Sequence, residues 1–275
     1  MKTKTIYLTT TLLLSSTTSV FGDSAALSTN DGLELRYRQS TGQSALSVIH
    51  DISTDTHANI AGRIFSLELE FEDRDGDIRV NINKAKASYT AHDMTQRLPA
   101  SELAGRNFTL SKANNDRSMK RASPEDDLEI GVGQIIGADY PVGLALVDIL
   151  PVLPEQAVDI GSSWETSRDT RSLEGWAWAH GVLSARHSVT AIEQLDDHTI
   201  ISVTSTARAQ LEKTEKGLEY SGDGTLERTS DWRFDVTAGR LLSMSMEQNT
   251  SGINSLPQGE VKVLQTTKVE YSTSD

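Results

Sequence analysis

A chain of 275 residues with 26 basic and 39 acidic side chains carries a formal charge of −13 at neutral pH. Such a surface repels phosphate backbones and anionic headgroups, which excludes nucleic acid as a natural partner. Cysteine is absent, so neither a disulfide nor a lipid-modified N-terminal cysteine is available, and stability must come from buried apolar area.

Residues 1–22 have the layout of a secretory signal peptide. Lys2 and Lys4 give a positive start, Ile6 to Leu14 an apolar core, and Val20-Phe21-Gly22 a small-x-small cleavage pattern. That core is too short and too rich in threonine to span a bilayer. No later run is long and apolar enough for a membrane helix, so the expectation is a protein exported to the periplasm or beyond, with no stable membrane insertion. Loss of Lys2 and Lys4 makes the exported chain more acidic still.

The segment assigned to an N-terminal β lobe runs from residue 23 to 122. Within it, Phe65, Leu67, Leu69 and Phe71 fall on one face of an alternating run, and Ser66, Glu68, Glu70 and Glu72 on the other. This period of two is that of a half-buried strand. Asp73-Arg74-Asp75-Gly76-Asp77 comes next, and Ile78, Val80 and Ile82 resume the alternation, which marks a hairpin turning on Asp-Gly. The acidic turn resembles the start of a calcium loop, yet Ile78 stands in the glycine slot and Lys84 in the glutamate slot. It reads as a charged hairpin tip.

Residues 123–150 are expected to form a short helical connector. Ser123-Pro124-Glu125-Asp126-Asp127 has helix-start chemistry, with proline in the first turn and acids at the positive end of the dipole. Leu128 to Ile149 is apolar, dotted with glycine and interrupted by Pro141, which suggests one or two short helices. Then comes Leu150-Pro151-Val152-Leu153-Pro154-Glu155-Gln156-Ala157-Val158-Asp159-Ile160-Gly161-Ser162-Ser163-Trp164. Two of only six prolines in the chain stand here, three positions apart. Proline fixes φ and cannot donate to a ladder, so the passage is an extended crossover into the second half. Val158 and Ile160 are expected to point inward, Gly161 to turn the chain and Trp164 to anchor the second lobe.

Residues 151–275 read as a C-terminal β lobe. Leu183 to Ala191 and Thr199 to Ala209 are strands joined by Asp196-Asp197-His198. Trp232, Phe234 and Val236 alternate up to the turn Thr237-Ala238-Gly239-Arg240, and Leu242, Met244 and Met246 alternate on the return. Val261 to Tyr271 is a further strand. The expected fold is mainly β: two antiparallel β lobes, as curved sheets or half-open barrels, joined by the short helical middle segment.

Three passages carry a resemblance. They are Leu103-Ala104-Gly105-Arg106-Asn107-Phe108-Thr109-Leu110, the Leu-Pro-x-x-Pro … Gly-x-x-Trp crossover, and Gly222-Asp223-Gly224-Thr225 leading to Trp232-Arg233-Phe234-Asp235 and Gly239-Arg240-Leu241. The chain resembles exported bacterial two-lobed β proteins of a domain-of-unknown-function family, over most of its length after the signal. The resemblance implies two antiparallel β lobes and names no activity. Asn107, Asn114 and Asn115 make the first-half passage more polar than that pattern.

Chemistry is sparse. There is no Gly-x-Ser-x-Gly elbow and no His-Glu-x-x-His helix, and the glycines from Gly131 to Gly137 have the wrong spacing for a dinucleotide loop. His50/His57 and His180/His187 are each seven apart, an odd interval that puts each pair on opposite faces of a regular strand. No catalytic residue, metal ligand or cofactor is therefore assigned, and enzymatic activity is left open only as an unrecognised hydrolase. The candidate binding face is the stripe Trp176, Trp178 and His180, with Met244 and Met246 as adaptable apolar contacts. The expected function is a non-catalytic exported binding module for an apolar small molecule or a partner segment, the alternative being a cell-envelope interaction or structural protein. A continuous apolar cavity would favour a carrier of an apolar ligand, and filled lobes with an exposed apolar patch the interaction protein.

Overall fold

The computed structural model describes residues 32–38, 41–54, 61–74, 77–91, 94–98, 103–122, 129–130, 140–141, 146–147, 149–169, 179–213, 224–256 and 259–274. The first half supplies β1 (Gly42–Thr54), β2 (Ala61–Arg74), β3 (Asp77–Ala91), β4 (Met94–Leu98), β5 (Asn107–Ala113) and β6 (Ser118–Arg121). Next come the two-residue strands β7 (Glu129–Ile130) and β8 (Tyr140–Pro141), then β9 (Ser163–Asp169) and β10 (Ala179–His180). The second half closes with β11 (Val182–Leu195), β12 (His198–Lys213), β13 (Gly224–Asp235), β14 (Arg240–Leu256) and β15 (Gly259–Ser274).

Long alternating strands pair antiparallel with their chain neighbours, and the anticipated β2–β3 hairpin forms from Arg74↔Asp77 outward. The decisive pairing is between the ends of the chain. β1 lies antiparallel to β15 from Gln43↔Ser274 to Thr54↔Val263. One antiparallel sheet results, in the order β6-β5-β3-β2-β1-β15-β14-β13-β12-β11-β9, with β4 attached to β3 and β10 to β12. The expectation of two separate lobes is thereby corrected. Alternation tells which face of a strand is buried and says nothing about which strand lies beside it.

The core is likewise shared: Leu46, Leu67 and Val80 from one half join Val203, Trp232 and Met244 from the other in a single buried cluster. Bulges interrupt the register beside Glu68, Val189 and Arg233, and each adds local twist that curls the sheet. The bulge in β14 also corrects a detail. Phe234 pairs with Leu241 and Arg233 with Ser243, so Leu242 is skipped and Leu241 is the buried residue.

The helical connector is corrected too. Glu129 and Ile130 face Pro141 and Tyr140 as an antiparallel pair, which makes those points the ends of a chain reversal rather than turns of one helix. Only a single helical turn is described, closed by the Leu150 N–H donating to Leu146 O at 3.2 Å. The Ser123–Asp127 helix start lies outside the described residues.

Two segments outside the sheet fill its concave side. Residues 32–38 contribute Leu35 and Tyr37, and residues 146–158 contribute Leu146, Ile149, Leu150, Leu153 and Val158, all buried. They join each other through Leu33 N–H to Val158 O at 2.7 Å and Val158 N–H to Leu33 O at 2.9 Å. The Tyr37 hydroxyl donates to Pro151 O at 2.8 Å, and burial pushes its phenol far above the ordinary range, so it stays protonated and keeps donating. The proline-rich passage reaches toward both ends of the sheet. Leu153 N–H donates to Arg117 O at 2.8 Å beside β6, and Trp164 Nε1 in β9 donates to Val152 O at 3.1 Å. The crossover thus clasps the open side of the curled sheet.

Candidate functional site

Ladder register brings together side chains that are far apart in sequence. His187 of β11 lies opposite Trp164 of β9 and Ser205 of β12, while Val203 lies opposite Trp232 of β13. With alternate residues on one face, Trp164, Thr166, His187, Ser205 and Trp232 meet on the concave side. The Trp164 and His187 rings stack at 4.9 Å, and Trp232 stands edge-on to Trp164 at 6.1 Å.

The polar atoms form one consistently directed chain. Trp232 Nε1 donates to Ser205 Oγ at 2.9 Å, and Ser205 Oγ lies 2.7 Å from His187 Nδ1. His187 Nε2 in turn lies 2.9 Å from Thr166 Oγ1. Because the indole can only donate, the simplest assignment has the serine hydroxyl donate to Nδ1 and the ring donate from Nε2 to threonine. Burial, reinforced by the positive charge of Arg168, lowers the imidazole from 6.5 to about 4. A neutral ring fits this chain, since protonation would force Nδ1 to become a donor.

The Ser205–His187 pair has the spacing of a nucleophile and its base, but its environment differs. The serine oxygen is held by an indole N–H, the ring is a weak base, and the chain ends on a threonine rather than a carboxylate. Both residues are buried. The cluster leaves no local motif in the sequence, because its members lie on four strands. The available signal was phase: counting back by twos from Trp232 places Ser230 and Arg228 on the inner face.

That phase defines a polar layer across the second half. Arg228 donates to Gln248 Oε1 from Nε at 3.0 Å and from Nη2 at 2.6 Å. Ser230, Thr250, Gln265 and Thr267 are buried in the same layer. It separates the main core from a smaller cluster of Leu183, Ala209, Leu211 and Leu226.

Met244 and Met246 are buried in the main core and line a cavity of about 30 Å³ beside His187, Ser205 and Trp232. A second cavity of about 30 Å³ lies between Tyr37, Phe71 and Tyr271. Spaces of this size admit water rather than a ligand. His180 is placed in β10 opposite Glu212, and Trp176 and Trp178 lie outside the described residues.

Ligand-sized space occurs instead on the open side, in a groove of about 740 Å³. Val152 to Val158 line it along the clasp, Ser163 to Ser167 of β9 form one wall, and Asn114, Asn115 and Arg117 form the other. The asparagine wall is an unusual turn: Asn114, Asn115 and Asp116 have φ of 53°, 55° and 63°. Short polar side chains tolerate this left-handed region best. The turn is fixed by Tyr37 N–H, which donates to Asp116 O at 2.6 Å, and by Leu153 on the next carbonyl.

At the other end, Asp159-Ile160-Gly161-Ser162 makes a turn closed by Ser162 N–H to Asp159 O at 3.0 Å, with Gly161 at φ 82°. Glycine at the third position is what a type II turn demands. Val158 is buried as expected, whereas Ile160 is 49% exposed because it occupies the corner of this turn. Trp164 anchors the passage, as its position suggests.

No protein-family model matches the chain, and no curated protein matches it. Among solved structures it is similar to a Bacteroides fragilis protein with a YmcC-like fold, provisionally described as exported. That match has 6% identity over 85% of this chain and 97% of the other, at a TM-score of 0.22. It is also similar to a mutant of the Rh. blastica porin, with 8% identity over 84% of this chain and all of that one (100%), at a TM-score of 0.20. Similarity this low assigns neither family nor activity, and the two-lobed exported family of the sequence motifs gains no support from a family model.

Proposed function

We propose that the chain is an exported, non-catalytic binding module of the cell envelope, and that it engages a partner segment in the groove beside its proline-rich clasp. One observation carries this reading. The concave side is packed with the chain's own segments, leaving cavities of only about 30 Å³ there, while the groove offers about 740 Å³. Small-molecule sites need roughly 300–1,000 Å³ of concave space, so the occupant is sought outside the core. Export rests on the signal-like residues 1–22.

The test is site-specific photocrosslinking in the source cell, with the reactive residue placed at Ser163 or Glu165 in the groove, or at Thr204 on the exposed face of β12. The proposal predicts processing near Gly22 and an adduct of defined mass at the groove positions only. Equal labelling at all three positions, or none in the groove, would overturn it.

A further inference from the structure

The geometry of the groove points to how a partner is held. We infer that an extended, basic segment of another envelope protein adds as a strand to the outer edge of β9; this rests on the proposed binding role of the groove.

The phase of β9 is set by its first bonds. Gly161 N–H donates to Val189 O at 3.0 Å and Val189 N–H donates to Ser162 O at 2.9 Å, a bulge with glycine in the left-handed region. From there the register runs Ser163↔Ser188, Trp164↔His187, Glu165↔Arg186 and on to Asp169↔Val182. In an antiparallel ladder, bonded and non-bonded pairs alternate. Trp164, Thr166 and Arg168 therefore exchange backbone bonds with β11. Ser163, Glu165 and Ser167 direct their N–H and C=O groups away from β11, toward the groove.

No described strand pairs with that edge, which ends the sheet. Its seven residues span about 20 Å, at roughly 3.3 Å per residue. Unpaired edges of this kind are templates for an incoming strand, and main-chain bonds supply the affinity.

Charge selects the partner. Among the described residues the groove lining has three charged side chains: Glu155 and Glu165, both exposed, and Arg117, which is 14% exposed and lies 3.5 Å from Glu34. Within this lining the accessible charge is therefore acidic and favours lysine or arginine; the exposed Arg186 of β11, opposite Glu165, lies outside it. A second copy is disfavoured, because two chains each at −13 repel.

The experiment titrates the full chain with an octapeptide of alternating valine and lysine. Its comparators are a valine–glutamate octapeptide, a glycine–lysine octapeptide of equal charge, and the valine–lysine peptide N-methylated throughout. The inference predicts binding of the first and at least tenfold weaker binding of each comparator. Ser167→Pro, which removes an outward N–H without touching the β11 ladder, should weaken binding tenfold or more while circular dichroism is unchanged. E155K with E165K should reverse the preference between lysine and glutamate peptides. Equal binding of all four peptides, or no binding of the first, would overturn the inference. Groove crosslinks in cells with no peptide preference would overturn strand addition and leave the proposed function standing. Peptide binding with silent groove positions in cells would do the reverse.

Discussion

The two halves of the sheet bury different inner faces. Along β1, β2 and β3 the inner face is almost wholly apolar, with Leu46, Val48, Phe65, Leu67, Leu69, Phe71, Ile78, Val80 and Ile82 all buried. Along β11 to β15 the same face carries His187, Ser205, Arg228, Ser230, Gln248, Thr250, Gln265 and Thr267 between two apolar clusters. The first half is stabilised by non-directional burial, which depends little on pH. The second half relies on directional bonds whose partners must all be present, because an orphaned buried polar group costs more than the bond contributes.

The largest expected effect is at the junction of these regimes. Trp232→Ala removes a buried ring and also the donor to Ser205, and should cost about 3–5 kcal/mol. Leu67→Ala, in the apolar half, should cost about 2–4 kcal/mol by cavity formation alone. Denaturant midpoints of the two variants check the order.

A pH series separates the halves further. His187 is held near 4 in the folded chain against 6.5 in the unfolded one. As pH falls below 6.5 the unfolded state takes up a proton that the folded state refuses until about 4. The neutral ring therefore contributes full stability above 6.5, and this is lost progressively down to about 4. The loss is on the order of 3 kcal/mol, from 1.36 kcal/mol per unit. His187→Gln should flatten this part of the stability profile, whereas Leu67→Ala should shift the whole profile down without changing its slope.

Smaller effects refine the contrast. Gln248→Leu removes the acceptor that Arg228 uses twice and should cost about 1–3 kcal/mol. Gly161→Ala meets nothing within 4 Å, so only its φ of +82° resists the change. It should cost about 1 kcal/mol. Gly239→Ala should cost more, because its Cβ would lie 2.5 Å from Arg38 Cβ. Thermal midpoints of the two glycine variants measure the difference between conformational strain and collision.

Much of this architecture was legible in the chain, for reasons that are local. The Phe65–Phe71 alternation, the turn at Asp73–Asp77 and the extended proline passage each depend on neighbours in sequence. The features that were not legible depend on distant pairing. β1 and β15 have alternating faces compatible with many partners, so their union into one sheet left no trace in either. The bulge that replaces Leu242 by Leu241 shifts phase by one residue, which periodicity alone averages over. Apolar glycine-dotted sequence read as helix where Ile130 instead faces Tyr140 across a short ladder. The His187 network was hidden because polar residues on an inner face look like an exposed face until the strand's phase is fixed.

Hydrogen exchange resolved at single amides tests the central claim most directly. The edge-strand account predicts slow exchange at Trp164, Thr166 and Arg168 in the free protein, and fast exchange at Ser163, Glu165 and Ser167. Addition of the valine–lysine octapeptide should slow the second set at least tenfold. Slow exchange at all six amides before any peptide is added, or fast exchange at the second set after saturation, would contradict it.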